Sequence, residues 1–169
     1  SSSVGGGESP LPREVPEALL RRTGVFVTLY RSGELRGCLG VTSGQEPLCE
    51  AVPRLAYAAA SRDPRFPPVR QDELPGLSVE VTLLGALVRL PNDGPTLLQS
   101  LDPRACGIYL KCRGRSGLLL PQVARRLGWG AEELLGQVSL KAGLPSEAWR
   151  DEAAEIYGFK ARSLGTTPV

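Results

Sequence analysis

No histidine occurs anywhere in the 169-residue chain. That absence removes the imidazole general base at neutral pH, and with it any Ser-His-Asp or Cys-His pair built from this chain alone. Acid–base work falls to carboxylates, lysine, tyrosine or a thiolate, or to a partner protein. Methionine is also absent, and aromatic residues make up only 5%. No apolar run approaches the roughly 20 residues a membrane-spanning helix needs. No charged-then-apolar leader is read, so a cytoplasmic protein is expected. The net charge is only +2, too small to argue for nucleic acid. Lys111, Arg113 and Arg115 form one local basic cluster, which reads as a solvated hairpin tip. The four cysteines, Cys38, Cys49, Cys106 and Cys112, show no CxxC spacing. Without histidine a structural zinc site would need all four thiols or carboxylate help. A disulfide framework does not suit the expected compartment. No metal and no cofactor is expected.

What is present fits one ordinary domain able to bury a core without staples. Residues 1–13, with Ser1-Ser2-Ser3 and Gly5-Gly6-Gly7, read as a flexible tail, and 14–169 as a single domain. Arginine outnumbers lysine, 17 to 3.

The most informative stretch is Leu35-Arg36-Gly37-Cys38-Leu39-Gly40. It follows a strand-like run, Val25 to Tyr30, and a turn at Ser32-Gly33. Strict alternation puts Leu35, Gly37 and Leu39 on one face and Arg36, Cys38 and Gly40 on the other. Guanidinium and thiol would then be neighbours, with Cα atoms roughly 6.5–7 Å apart. A nearby cation favours the thiolate, so Cys38 is a candidate nucleophile. The glycines leave room for a ligand or another backbone.

Along the chain, Val15–Arg22 reads as a short helix opened by Pro16. Pro47 opens a longer helix with Leu48, Val52, Leu55 and Ala59 on its apolar face, and Pro53 is expected to kink it or displace its start. Cys49 is expected to face its core. Asp63-Pro64-Arg65-Phe66-Pro67-Pro68 is a stiff loop that holds Asp63 and Arg65 in place or simply pairs them. Leu77–Leu84 is the clearest strand, with Leu77, Val79, Val81 and Leu83 on one face. Glu80 centres its polar face, either exposed or paired with Arg36. Thr96–Leu101 reads as a helix. Gly107–Cys112 and Leu118–Leu120 read as a hairpin around residues 113–117, with Cys112 in its strand. Helices follow from Pro121 and over Ala131–Ala142, the second stopped by Gly143. Leu134, Leu135, Val138 and Leu140 are its apolar residues, and Lys141 suits its C-terminal end. Ile156–Ala161 reads as a closing strand. Two hairpin-then-helix stretches suggest an internal duplication without a sequence repeat. The mixture predicts an α+β fold, a mainly antiparallel sheet packed with helices.

An ordered set of blocks is similar to the AMMECR domain family. They are Gly24–Leu29, Arg36-Gly37-Cys38-Leu39-Gly40, Asp63–Pro68, Glu73-Leu74, Val79-Glu80-Val81, Leu120–Val123, Gly128-Trp129 and Lys141–Pro145, covering roughly residues 22 to 161. The resemblance implies two unequal lobes with a cleft between them and the Arg-Gly-Cys strand nearby. It implies a longer helix before residue 24 than this chain shows. It carries over Arg36, Gly37, Cys38, Asp63, Arg65, Phe66, Glu80, Pro121, Gln122 and Lys141. Two positions depart from it: Cys106 stands where some relatives carry histidine, and Ser139 where some carry cysteine. The resemblance also implies possible partners, a Memo-like protein and a radical S-adenosylmethionine enzyme, without a settled reaction.

Two functions are therefore open. In the first, Cys38 is a nucleophile and Glu80 an acid or base, with Arg36, Gly37, Asp63, Arg65, Gln122 and Lys141 holding the ligand. In the second, the chain is a non-catalytic module that binds a small anionic ligand or a protein segment through Arg36, Arg65 and Lys141.

Overall fold

Alternating and 3.6-residue apolar patterns resolve into two compact units in the computed structural model, which describes residues 14–165. One comprises residues 14–84 and 162–165, the other residues 85–161. The chain begins with β1 (Val25–Arg31), β2 (Glu34–Val41), α1 (Leu48–Ser61) and β3 (Leu77–Leu84). It continues with β4 (Val88–Arg89), α2 (Gly94–Ser100), β5 (Gly107–Cys112), β6 (Arg115–Leu119), α3 (Pro121–Leu127), α4 (Ala131–Lys141) and β7 (Glu155–Phe159). The strand β8 (Ala161–Gly165) returns to the first unit. This is the expected α+β fold, with antiparallel pairing between β1 and β2, β1 and β3, β5 and β6, and β5 and β7. The expected tail over residues 1–13 lies outside the described residues.

The two sheets repeat one plan. Their orders are β2-β1-β3-β8 and β6-β5-β7-β4. In each, a hairpin is followed by helix, and a third strand then pairs with the hairpin's first strand. The hairpin's second strand is left at the edge. The fourth strand comes from the end of the chain in one sheet and from before the hairpin in the other. The suggested duplication is thus visible as topology.

In the first unit Val25, Val27 and Leu29 pack on Leu48, Ala51, Leu55 and Ala59 of α1. Val79, Val81 and Leu83 join them from β3, the face their alternation predicts. The helix begins at Leu48 and continues through Pro53, so its start is not displaced. Its buried stripe runs through Ala51, with Val52 only half-buried. Cys49 is half-buried and outside that core, a correction that follows from its place one residue off the stripe. In the second unit Ile108, Leu110 and Ile156 pack on Leu134, Leu135 and Val138 of α4, and Cys112 is buried at the end of β5.

Four expectations need correcting. Pro16 opens only a four-residue 3-10 turn, Glu17–Leu20. The second hairpin turns at Arg113-Gly114 alone, with φ of 51° and 77°, the mirror-turn geometry that matches strand twist. Arg115 and Ser116 therefore pair in β6 instead of looping out. The closing strand divides near Lys160 into β7 and β8, which belong to different sheets. Leu140 is 51% exposed, and Ser139 holds the buried position instead. Its hydroxyl donates to the Leu135 carbonyl within α4, 2.8 Å away.

Candidate functional site

A bulge decides what surrounds Cys38. From the Ser32-Gly33 turn the hairpin pairs Arg31 with Glu34 and Tyr30 with Leu35, but then Leu29 with Gly37 and Thr28 with Cys38. Arg36 is the extra residue, and a bulge of this kind re-aims its side chain. Leu35 consequently shares a face with Tyr30, not with Gly37 and Leu39, which corrects the strict alternation. The room at the two glycines is also occupied. A Cβ on Gly37 would lie 2.3 Å from the Ala59 carbonyl oxygen of α1, and one on Gly40 2.3 Å from the Phe26 ring. The approach at Gly37 is by backbone, not by ligand.

The cation beside Cys38 is Arg65, not Arg36. Asp63 follows α1, and its carboxylate is buried. Oδ2 accepts from the Cys38 backbone N–H at 2.9 Å. Both oxygens accept from the Arg65 guanidinium, at 3.1 Å from Nε and 2.8 Å from Nη2, and Oδ1 also accepts from the Arg65 backbone N–H. Arg65 Nη2 in turn donates to the Cys38 carbonyl at 3.4 Å. One ion pair thus satisfies both backbone groups of Cys38 on the open edge of β2, as another strand would. The forked Arg65 bond holds the Asp63 carboxyl down at about 2, with the Cys38 N–H helping and burial opposing. The Arg65 guanidinium is pushed above its usual value, chiefly by its hydrogen bonds to the Asp63 carboxylate. The Cys38 thiol lies 3.3 Å from the Thr28 hydroxyl. We expect Asp63→Ala to lower stability by about 2 kcal/mol, the worth of hydrogen bonds to a charged group. Urea unfolding measures it, and an unchanged midpoint would show that water replaces the carboxylate.

Arg36 is committed elsewhere. Its Nε and Nη2 each lie 3.1 Å from Glu73, and its Nη1 donates to the Pro67 carbonyl at 2.9 Å. Glu73 is buried, and also accepts from Arg31 Nη1 and from the Arg70 backbone N–H. The Arg36 fork lowers the Glu73 carboxyl to about 2, followed by the Arg70 N–H. Sequence reasoning gave Glu73 no role. The pairing of Glu80 with Arg36 does not form either, because β1 separates their strands. Glu80 sits in one cross-strand row with Thr28 and Cys38. Its Cα is roughly 9.5 Å from that of Cys38, two strand spacings away. Thr28 is the residue sequence reasoning missed, since without the bulge it would face Gly37.

Gln122 and Lys141 belong to the second unit. Gln122 is the second residue of α3. Lys141 Nζ donates to the Leu118 carbonyl at 2.7 Å. Leu118 follows Gly117 on edge strand β6 as Cys38 follows Gly37 on β2, so a basic side chain caps the same edge position in both units. Among the described residues no group of three or more histidines, cysteines or acidic residues is placed to hold a metal ion. No helix among them is long and apolar enough to cross a membrane.

A pair of sheet-and-helix units, with an Arg-Gly-Cys edge strand held by an Asp–Arg pair, defines the class of α+β protein. Comparison with known proteins supplies the family. The AMMECR1 family model matches residues 1–164, and the chain belongs to that family. A protein of Methanothermobacter thermautotrophicus is 41% identical over 157 residues, 90% of this chain and 80% of the relative. Protein MJ0810 of Methanocaldococcus jannaschii is 38% identical over 160 residues, 92% of this chain and 79% of the relative. The crystal structure of the uncharacterized protein PH0010 from Pyrococcus horikoshii matches with a TM-score of 0.91 at 36% identity, covering 97% of this chain and 83% of that one.

Proposed function

We propose that the chain is a thiol-dependent enzyme, or the thiol-bearing component of one, with Cys38 as nucleophile. The observation that carries this reading is the setting of the thiol. The residue is half-buried, its thiol lies against the Thr28 hydroxyl, and a cation is fixed at its backbone carbonyl by a buried carboxylate. A buried free cysteine is ordinarily inert packing. Cys38 differs in having both access and a neighbouring guanidinium. Nor does the fold require cysteine here, because Leu118 holds the matching place in the second unit. Glu80 is the proposed acid or base. Proton transfer between it and Cys38 runs through Thr28 or water, since the row keeps the two apart.

Arg65 is the ligand anchor retained from the sequence reading. Arg36 and Gly37 serve the architecture around it. Gln122 and Lys141 remain proposed ligand residues on family resemblance, as do a Memo-like protein and a radical S-adenosylmethionine enzyme as partners.

The test is alkylation of each cysteine by iodoacetamide, followed by mass spectrometry, in wild type, Arg65→Ala and Arg36→Ala. Cys38 is expected to react fastest. Its rate should fall roughly threefold to tenfold in Arg65→Ala, the scale of one solvent-screened charge interaction of about 1 kcal/mol. Arg36→Ala should change stability far more than this rate. A Cys38 that reacts no faster than half-buried Cys49 and Cys106 would sink the proposal in favour of a binding module.

A further inference from the structure

We propose that Arg65 selects anionic substrates, so that the group attacked by Cys38 belongs to a molecule bearing a carboxylate or phosphate. This rests on the reading of Cys38 as a nucleophile. Asp63 leaves part of the Arg65 guanidinium unused. It engages Nε and Nη2 of Arg65 in a fork, and Nη2 also serves the Cys38 carbonyl. Among the described residues Nη1 has no hydrogen-bond acceptor. The carboxylate side chain is 2% exposed, whereas the arginine side chain is 52% exposed. The inner edge of the guanidinium is therefore locked and its outer edge faces water. The flat cation also lies over the Phe66 ring, 5.5 Å from its centroid. Prolines at 64, 67 and 68 limit the freedom of this loop. Little side-chain entropy remains to be lost when an anion docks on Nη1.

The placement suits substrate capture better than charge balance alone. The same Nη2 that meets Asp63 also meets the Cys38 carbonyl, which holds the guanidinium at the main chain of the thiol-bearing residue. An anion on that edge brings the rest of its molecule to Cys38. Asp63 offsets part of the cation's charge, so the selection rests on the outer edge of the guanidinium, which faces away from the buried carboxylate.

Two reagents with the same leaving group test it: iodoacetate, which is anionic, and iodoacetamide, which is neutral. In each the Cys38 sulfur forms a bond to the methylene carbon as the carbon–iodine bond breaks, and iodide leaves with the electron pair. The quantity read is the ratio of the two rates at Cys38, relative to the same ratio at Cys49. Wild type should favour iodoacetate by about threefold to tenfold at low salt, and the preference should shrink at high ionic strength. Arg65→Gln should abolish it, Arg65→Lys should restore part of it, and Arg54→Gln on the exposed face of α1 should leave it intact. A loss of reactivity in Arg65→Gln that is equal for both reagents overturns anion selection while leaving the nucleophile in place. Failure of both reagents to label Cys38 in wild type overturns both ideas. If Arg65→Gln does not fold, a salt-independent ratio in wild type is itself sufficient to reject the proposal.

Discussion

Gly37→Ala is expected to lower the stability of the first unit by about 3 kcal/mol or more, at the upper end of what overpacking costs. The reason lies in what the new methyl group would meet. Its carbon would lie 2.3 Å from the Ala59 carbonyl oxygen and 3.1 Å from the carbonyl carbon. Both are backbone atoms of α1, so no side chain can swing aside. Ala59 is 1% exposed and belongs to the core that joins α1 to β1. Relief requires the helix to move off the sheet, or β2 to bend away with Cys38 on it. Gly76→Ala is the control, because nothing lies within 4 Å of its position and its φ is not in the left-handed range. Urea unfolding should show a large drop in midpoint for the first variant and almost none for the second. Equal midpoints would mean that helix and sheet separate at no cost. The second unit carries the same device: a Cβ on Gly117 would lie 2.7 Å from the Val138 carbonyl oxygen of α4.

That repeated glycine shows how far the sequence could be read. The Leu77–Leu84 strand was legible to the residue, because Leu and Val alternate strictly with Ser, Glu and Thr. Pro47 marked the start of α1 correctly, and the first hairpin was legible from its turn. The bulge was not, since nothing in Leu35-Arg36-Gly37 marks one extra residue. The geometry of the site follows from that single slip, which moves Thr28 from Gly37 to Cys38 and turns Arg36 away. The pairing of Asp63 with Arg65 was legible because they are two residues apart. The role of Glu73 was not, because its arginine partners lie 37 and 42 residues away. Long-range charge pairing leaves no periodicity to read, and neither does the division of residues 155–165 between two sheets.

The same two carboxylates set the response to acid. Asp63 and Glu73 are each held at about 2, from ordinary values of 3.8 and 4.5. Both shifts are depressions of the folded-state value. Their stabilisation is therefore complete above the unfolded values and is lost as pH falls through the window from about 4.5 to about 2. Near pH 3 the unfolded chain holds roughly 1.5–2 more protons on these groups than the folded chain. The unfolding constant should then rise by roughly ten- to hundredfold per pH unit in that region. Asp72, paired with Arg70 on the surface, is also lowered, but an exposed pair is weakened by salt. The part due to Asp63 and Glu73 should persist at high ionic strength. Asp63→Asn and Glu73→Gln, singly and together, should be less stable at pH 7 and should flatten the curve below pH 4.5 stepwise. Urea titrations at intervals from pH 7 to 2.5 provide the measurement. If the double variant retains the wild-type slope, the acid response comes from other carboxylates, and the two arginine clamps around the Cys38 strand are weaker than their geometry implies.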